Sequence, residues 1–118
     1  MYELLFWKYC DGVYLNHHEV YEQLVDSIEV DGLEKIPSTI ILNRITNLFS
    51  SWEKVDDNSW KNSSGNGAFQ IINTNYFVKI DCYGTDGKTM DLLVSILNEF
   101  DCPLYDLQIP ARYDEYFE

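Results

Sequence analysis

The residues that could carry chemistry in this chain are few, and their spacing argues against most of it. His17 and His18 are adjacent and follow Cys10 by seven residues. A zinc site needs three or four ligands within reach, usually delivered as local pairs. Neighbouring side chains on a helix diverge by about 100°, so the two imidazoles point apart. An exposed first helical turn beside Glu19 accounts for them. Asp56, Asp57 and Asn58 are consecutive, whereas a calcium loop alternates its ligands. A nucleophile would need Ser or Cys beside an oriented His, and no Ser stands in a strained glycine elbow. Cys82 and Cys102 lie in or next to apolar segments, where thiols serve as packing residues. Gly65-Asn66-Gly67 is neither a dinucleotide fingerprint nor a P-loop. With 20 Asp and Glu, some carboxylate pair will always be close, so such a pair signals nothing about acid–base work. The expectation is no catalytic residue, no metal, no cofactor and no enzymatic activity.

The elements that would position a surface are easier to read. Residues 3–9 are short and aromatic-rich and end at Asp11-Gly12, as a strand and turn would. Asn16 stands three residues before Glu19, a capping-box-like pair. Val20, Tyr21, Leu24, Val25 and Ile28 then make an apolar helical stripe, with Glu22, Asp26 and Glu29 on the wet face and Asp31-Gly32 at the end. Pro37 and Ser38 open a second helix along Ile41, Ile45, Leu48, Phe49 and Trp52. It breaks at Asp56-Asp57-Asn58, and a polar loop containing Trp60 runs to Gly67. Residues 68–73 and 76–83 read as an antiparallel pair of strands, the second alternating Tyr76, Val78, Ile80 and Cys82 with Phe77, Lys79, Asp81 and Tyr83. Asp86 or Thr89 caps a third helix along Met90, Leu93, Ile96, Leu97 and Phe100, and Leu104–Ile109 is a last strand. The order β-α-α-β-β-α-β predicts an α+β domain over 1–118. Its expected form is a four-stranded antiparallel sheet with three helices on one face, a variant of the ferredoxin-like split β-α-β plan.

Composition narrows the function. The 118 residues include 20 acids and 8 bases, for a net charge of −12, yet 46% are hydrophobic and 15% aromatic. That is a folded acidic domain rather than a disordered acidic tail. Such a surface repels phosphate backbones and anionic membranes, which argues against nucleic-acid binding and disfavours an anionic membrane surface. The acidity is concentrated: residues 1–35 and 89–118 each carry −6, and residues 36–88 balance to zero. If the ends of the chain lie together, their fields add on one side. Acids scattered for solubility are the plainer alternative. The chain opens without a basic leader, no apolar run reaches the ~20 residues of a membrane span, and three widely spaced cysteines form no disulfide framework. A reducing cytoplasm follows as the expected compartment, and the Asn62-Ser63-Ser64 triplet is then not a glycosylation site.

Most aromatics fall on expected core faces. Trp60 in the polar loop either folds back as a lid or anchors an interface, and Tyr113 and Tyr116 stand among acids. The candidate partner-binding residues are Glu22, Asp26, Glu29, Asp31, Trp60, Asp114, Glu115 and Tyr116. Phe6-Trp7-Lys8-Tyr9 with Asp11-Gly12-Val13-Tyr14, the helix to Trp52, and Phe100-Asp101-Cys102-Pro103-Leu104-Tyr105-Asp106 together span most of the chain. In these stretches the sequence resembles the immunity proteins of bacterial contact-dependent growth inhibition and related polymorphic toxin systems. The resemblance implies a tight heterodimer with one cognate toxin domain, most often a nuclease, whose active site is occluded. An acidic DNA mimic that inhibits a DNA-binding protein is the alternative. A small enzyme with a pocket under the Trp60 loop is the third, and no motif supports it.

Overall fold

Four consecutive residues near the start, Leu4, Leu5, Phe6 and Trp7, are apolar without alternation, and all are at most 2% exposed. A strand with that pattern must be covered on both faces and flanked on both edges. The structure is a computed structural model, and residues 2–65, 67–106 and 111–112 are described. In it, strand β1 (Tyr2–Trp7) is followed by helices α1 (His17–Val25) and α2 (Ser38–Leu48). Strands β2 (Glu53–Asp56), β3 (Ser59–Lys61), β4 (Ala68–Asn73) and β5 (Phe77–Tyr83) come next. Helix α3 (Gly87–Asn98), strand β6 (Leu104–Asp106) and the two-residue β7 (Ala111–Arg112) complete the order. They form one sheet in the order β2-β3-β4-β5-β1-β6-β7, every neighbouring pair antiparallel. β1 thus lies between β5 and β6, with Leu4 opposite both Ile80 and Asp106.

The mixed α+β class and the three helices agree with the sequence reading; the four-stranded sheet does not. Six strands and the short β7 are present, because the second helix ends at Leu48 instead of running on to the break at Asp56, and residues 53–61 fold as the β2–β3 hairpin around Asp57-Asn58. Asn58 N–H donates to the Asp56 carboxylate at 2.8 Å, a side-chain-stabilised turn. β2 is exposed at all four positions, so no buried alternation could announce it. Of the expected strand 104–109, residues 107–109 lie outside the described residues.

The helices also do not share one face. α2 and α3 pack together on Leu4, Phe6, Phe69, Ile71, Val78 and Ile80. α1 packs through Val20 and Leu24 on Leu5, Trp7, Phe77 and Tyr105, on the opposite side. Trp60 is a core residue of β3 at 2% exposure, not a loop residue. Its ring stacks on Phe69 at 5.2 Å, and Phe49 and Trp52 close the same aromatic cluster. The Lys54 ammonium covers the outer side of Trp60 at 5.4 Å.

α1 ends sooner than the apolar stripe suggests. Its last helical residue is Val25, and Ser27 sits at φ 60°, in the left-handed region. Ser27 N–H donates to the Leu24 carbonyl at 3.1 Å and Ile28 N–H to the Gln23 carbonyl at 2.8 Å. Those two bonds are a Schellman termination. Ile28 is thereby thrown off the helix and left 52% exposed. No helix among the described residues is long and apolar enough to cross a membrane.

Two substitutions check this arrangement. Trp60→Ala is expected to cost about 3–5 kcal/mol in urea unfolding, whereas a loss under about 1 kcal/mol would place the ring outside the core. Ser27→Gly should raise stability by a few tenths to about 1 kcal/mol by relieving the left-handed backbone.

Candidate partner-binding surface

The surface is built on α1 and the segment that returns from it to the sheet. Asn16 caps the helix, its side-chain oxygen accepting the Glu19 N–H at 3.0 Å. The helix is held to the sheet by rings and hydroxyls. His17 Nδ1 meets the Tyr9 hydroxyl at 2.7 Å, and His18 Nδ1 meets the Tyr105 hydroxyl at 2.9 Å. Tyr21 stacks on Tyr105 at 5.6 Å and donates its hydroxyl to Glu3 at 3.2 Å. Burial, and then the neighbouring Glu3 carboxylate, hold the Tyr21 phenol above its ordinary value. The two histidines are therefore anchoring groups between helix and sheet. Among the described residues no group of three or more His, Cys, Asp or Glu could hold a metal ion.

A half-buried charge cluster lies on the same face. Glu3 of β1 and Asp81 of β5 are directly opposite, a pairing that repels unless bridged. Lys79 bridges them, 3.0 Å from Glu3 and 3.3 Å from Asp81. Burial alone would pull the Lys79 ammonium down, but the hydrogen bond it donates to Glu3 and the nearby Asp81 charge outweigh it, and its value is raised. A raised lysine contributes stability that is complete below its unfolded value and is lost as pH climbs through the folded one.

Of the eight candidate residues, four lie on the end of α1 and the segment after it, and two of these, Glu29 and Asp31, line one depression. Glu22, Asp26, Glu29 and Asp31 are all exposed. Only Glu22 belongs to α1; Asp26 is its C-cap, and Glu29 and Asp31 follow the Ser27 turn, so the expected wet helical face is a helix end and a loop. Glu22 pairs with His18 at 3.3 Å, and among the described residues Asp26, Glu29 and Asp31 form no ion pair. Trp60 is on the other side of the sheet and buried, so it does not belong to this surface. Asp114, Glu115 and Tyr116 lie outside the described residues, although β7, just before them, is in contact with α1.

Placing Glu22 and Asp26 at the C-terminal end of α1 works against the helix. That end carries the negative pole of the macrodipole, and no base stands in the last turn. Each carboxylate there costs about 0.3–1 kcal/mol at low ionic strength. Glu22 keeps its contact with His18, whereas Asp26 has no ion pair among the described residues.

A feature absent from the sequence reading adjoins them. A cavity of about 330 Å³ opens between the α1 turn and strands β4 and β5, lined by Leu24, Ile28, Val30, Leu33, Ile72 and Phe77 among others. One helix some 10 Å wide cannot roof a seven-stranded sheet about 29 Å across. Ile72 is 45% exposed beyond its reach. The signal was the adjacent pair Ile71-Ile72: a strand with apolar residues on both faces has something to cover on each.

No protein-family model matches the chain, and no curated protein is similar to it.

The thiols differ in access and in burial. Burial pushes the Cys82 thiol up to about 11, and Cys10 is the more accessible thiol. At pH 8 a disulfide reagent should label Cys10 quickly and Cys82 only on unfolding, because roughly one Cys82 in a thousand is thiolate at that pH. Fast native labelling of Cys82, read by mass spectrometry, would contradict its placement. Lys79→Met should cost about 1–3 kcal/mol, since it leaves Glu3 and Asp81 facing each other; thermal unfolding at neutral pH measures it.

Proposed function

We propose that this chain is an immunity protein that binds and neutralises a cognate toxin domain in a heterodimer. The observation that carries the reading is the run of exposed acids Glu22, Asp26, Glu29 and Asp31, of which the last three form no ion pair among the described residues and Asp26 stands at a helix end that disfavours it. Charge kept where it weakens the fold is explained by a partner that needs it. A nuclease must attract phosphate, so its cleft is positive, and an acidic protein can occupy that cleft. Opposite charge raises association rates to about 10⁸–10⁹ M⁻¹s⁻¹ at low salt, against roughly 10⁵–10⁶ without it. Speed of that order suits protection of a cell that makes the toxin itself, and a reducing cytoplasm is the compartment of this reading.

We further read the central order β4-β5-β1-β6, with α2 and α3 on one face, as the split β-α-β plan. The β2–β3 hairpin and α1 are then additions to it, and the acidic residues lie on the end of the added helix and the segment after it.

Two measurements test the function. The reading frame immediately upstream in the native locus is expressed, through its C-terminal domain, with and without this protein, and survival and RNA and DNA integrity are scored. Rescue is expected, and the nucleic acid spared names the toxin's chemistry. Killing that proceeds regardless would overturn the reading, and broad inhibition of unrelated DNA-binding enzymes would favour the DNA mimic. With the partner in hand, Asp26→Lys and Glu29→Lys together should slow association at least tenfold at low salt and flatten its salt dependence. Asp26→Lys alone should make the free protein slightly more stable. Unchanged association rates would remove this surface.

A further inference from the structure

The segment Glu29–Val30 is a wall with a depression on each side. On one side is the apolar cavity of about 330 Å³, with Val25, Ile28 and Ile72 exposed at 39%, 52% and 45% around it. Its one lining base, Lys79, is committed to Glu3 and Asp81. On the other side is a depression of similar volume lined by Glu19, Glu29 and Asp31, with Asn16 and Gln23 and no Lys or Arg. Three carboxylates and two side-chain amides there make an acceptor-rich hollow beside a greasy one.

We infer that the occupant is a protein segment presenting two neighbouring anchors: a large apolar side chain for the cavity and an Arg or Lys for the hollow. This deepens the toxin-binding reading and rests on it for the partner's identity. Charge complementarity selects the occupant. A second copy of this chain would bring another −12, and anionic lipid or nucleic acid would be repelled from the hollow. A basic protein is attracted, and a guanidinium can pair with two carboxylates while its neighbour is desolvated. Aromatic and Arg side chains are also the residues that carry most energy in interfaces. The space suits one side chain of about ten heavy atoms, at roughly the 30 Å³ each that a water takes in the liquid.

The test uses the full chain and three capped dipeptides: acetyl-Trp-Arg-amide, acetyl-Trp-Glu-amide and acetyl-Gly-Arg-amide. Backbone amide shifts are followed by NMR up to about 20 mM, enough to see a millimolar complex. Trp-Arg should move Ile28, Val30, Ile72 and Asp31 together. Trp-Glu should bind at least fivefold more weakly, and Gly-Arg should move Glu19, Glu29 and Asp31 without Ile72. Glu29→Lys, an exposed change that leaves the core intact, should abolish the preference for Arg over Glu. Equal binding of Trp-Arg and Trp-Glu, shifts confined to other regions, or no shifts would overturn the inference. The rescue assay separates this from the immunity reading. If the unaltered protein protects and Ile72→Asp with Glu29→Lys protects equally well, the two-anchor inference fails while immunity stands. If the unaltered protein does not protect, immunity fails, and the dipeptides alone decide the surface.

Discussion

Burial of β1 on both faces is the constraint on which the rest of the structure depends. Leu4 and Phe6 require one apolar layer, and Leu5 and Trp7 require another. α2 and α3 supply the first and α1 the second, so no helix can be removed without exposing one side of the central strand. Each buried aliphatic or aromatic side chain there represents about 1.5–3 kcal/mol of transfer from water. The hydrogen bonds of the same strand need β5 on one edge and β6 on the other. Two layers and two edges converge on six residues.

The layers are unequal, and the inequality shapes the surface. Two helices cover the larger core, while the nine residues of α1 span only about 13 Å of the opposite face. What α1 leaves bare lies over β4 and β5, and the Schellman turn at Ser27 directs Ile28 and Val30 toward that gap. The apolar cavity and the acidic group are therefore consequences of one event, the early end of a short helix. A longer α1 would have continued the stripe through Ile28 and removed both.

Much of this was legible in the chain, for identifiable reasons. Helix α3, and α2 as far as Leu48 though not on to Trp52, follow from apolar periodicity, and Asp86 caps α3 by accepting the Thr89 N–H at 2.8 Å. Strands β4 and β5 follow from alternation. The β2–β3 hairpin was hidden because an edge strand with four exposed residues has no apolar period, and Trp60 looked like a loop residue for the same reason. The second layer was signalled by the unbroken run Leu4-Leu5-Phe6-Trp7, which only a strand buried on both faces would carry. The end of α1 was obscured because nothing in Asp26-Ser27 resembles the usual glycine stop. For the candidate surface, charge located the acids, but the apolar cavity depends on Ile28 and Ile72 meeting across 44 positions of sequence, which no local pattern encodes.

The position of β1 in the chain has a consequence for how the protein is made. It precedes every other described strand in the chain, yet its partners are residues 77–83 and 104–106, separated from Leu4 by 76 and 102 positions along the pairings with Ile80 and Asp106. Until both have emerged, Leu4-Leu5-Phe6-Trp7 has neither its sheet edges nor its two covering layers. Closing loops of that length slows folding, and the unpaired apolar strand is open to association with other chains meanwhile. The segment that organises the finished domain must therefore wait for pairing partners from the far part of the chain.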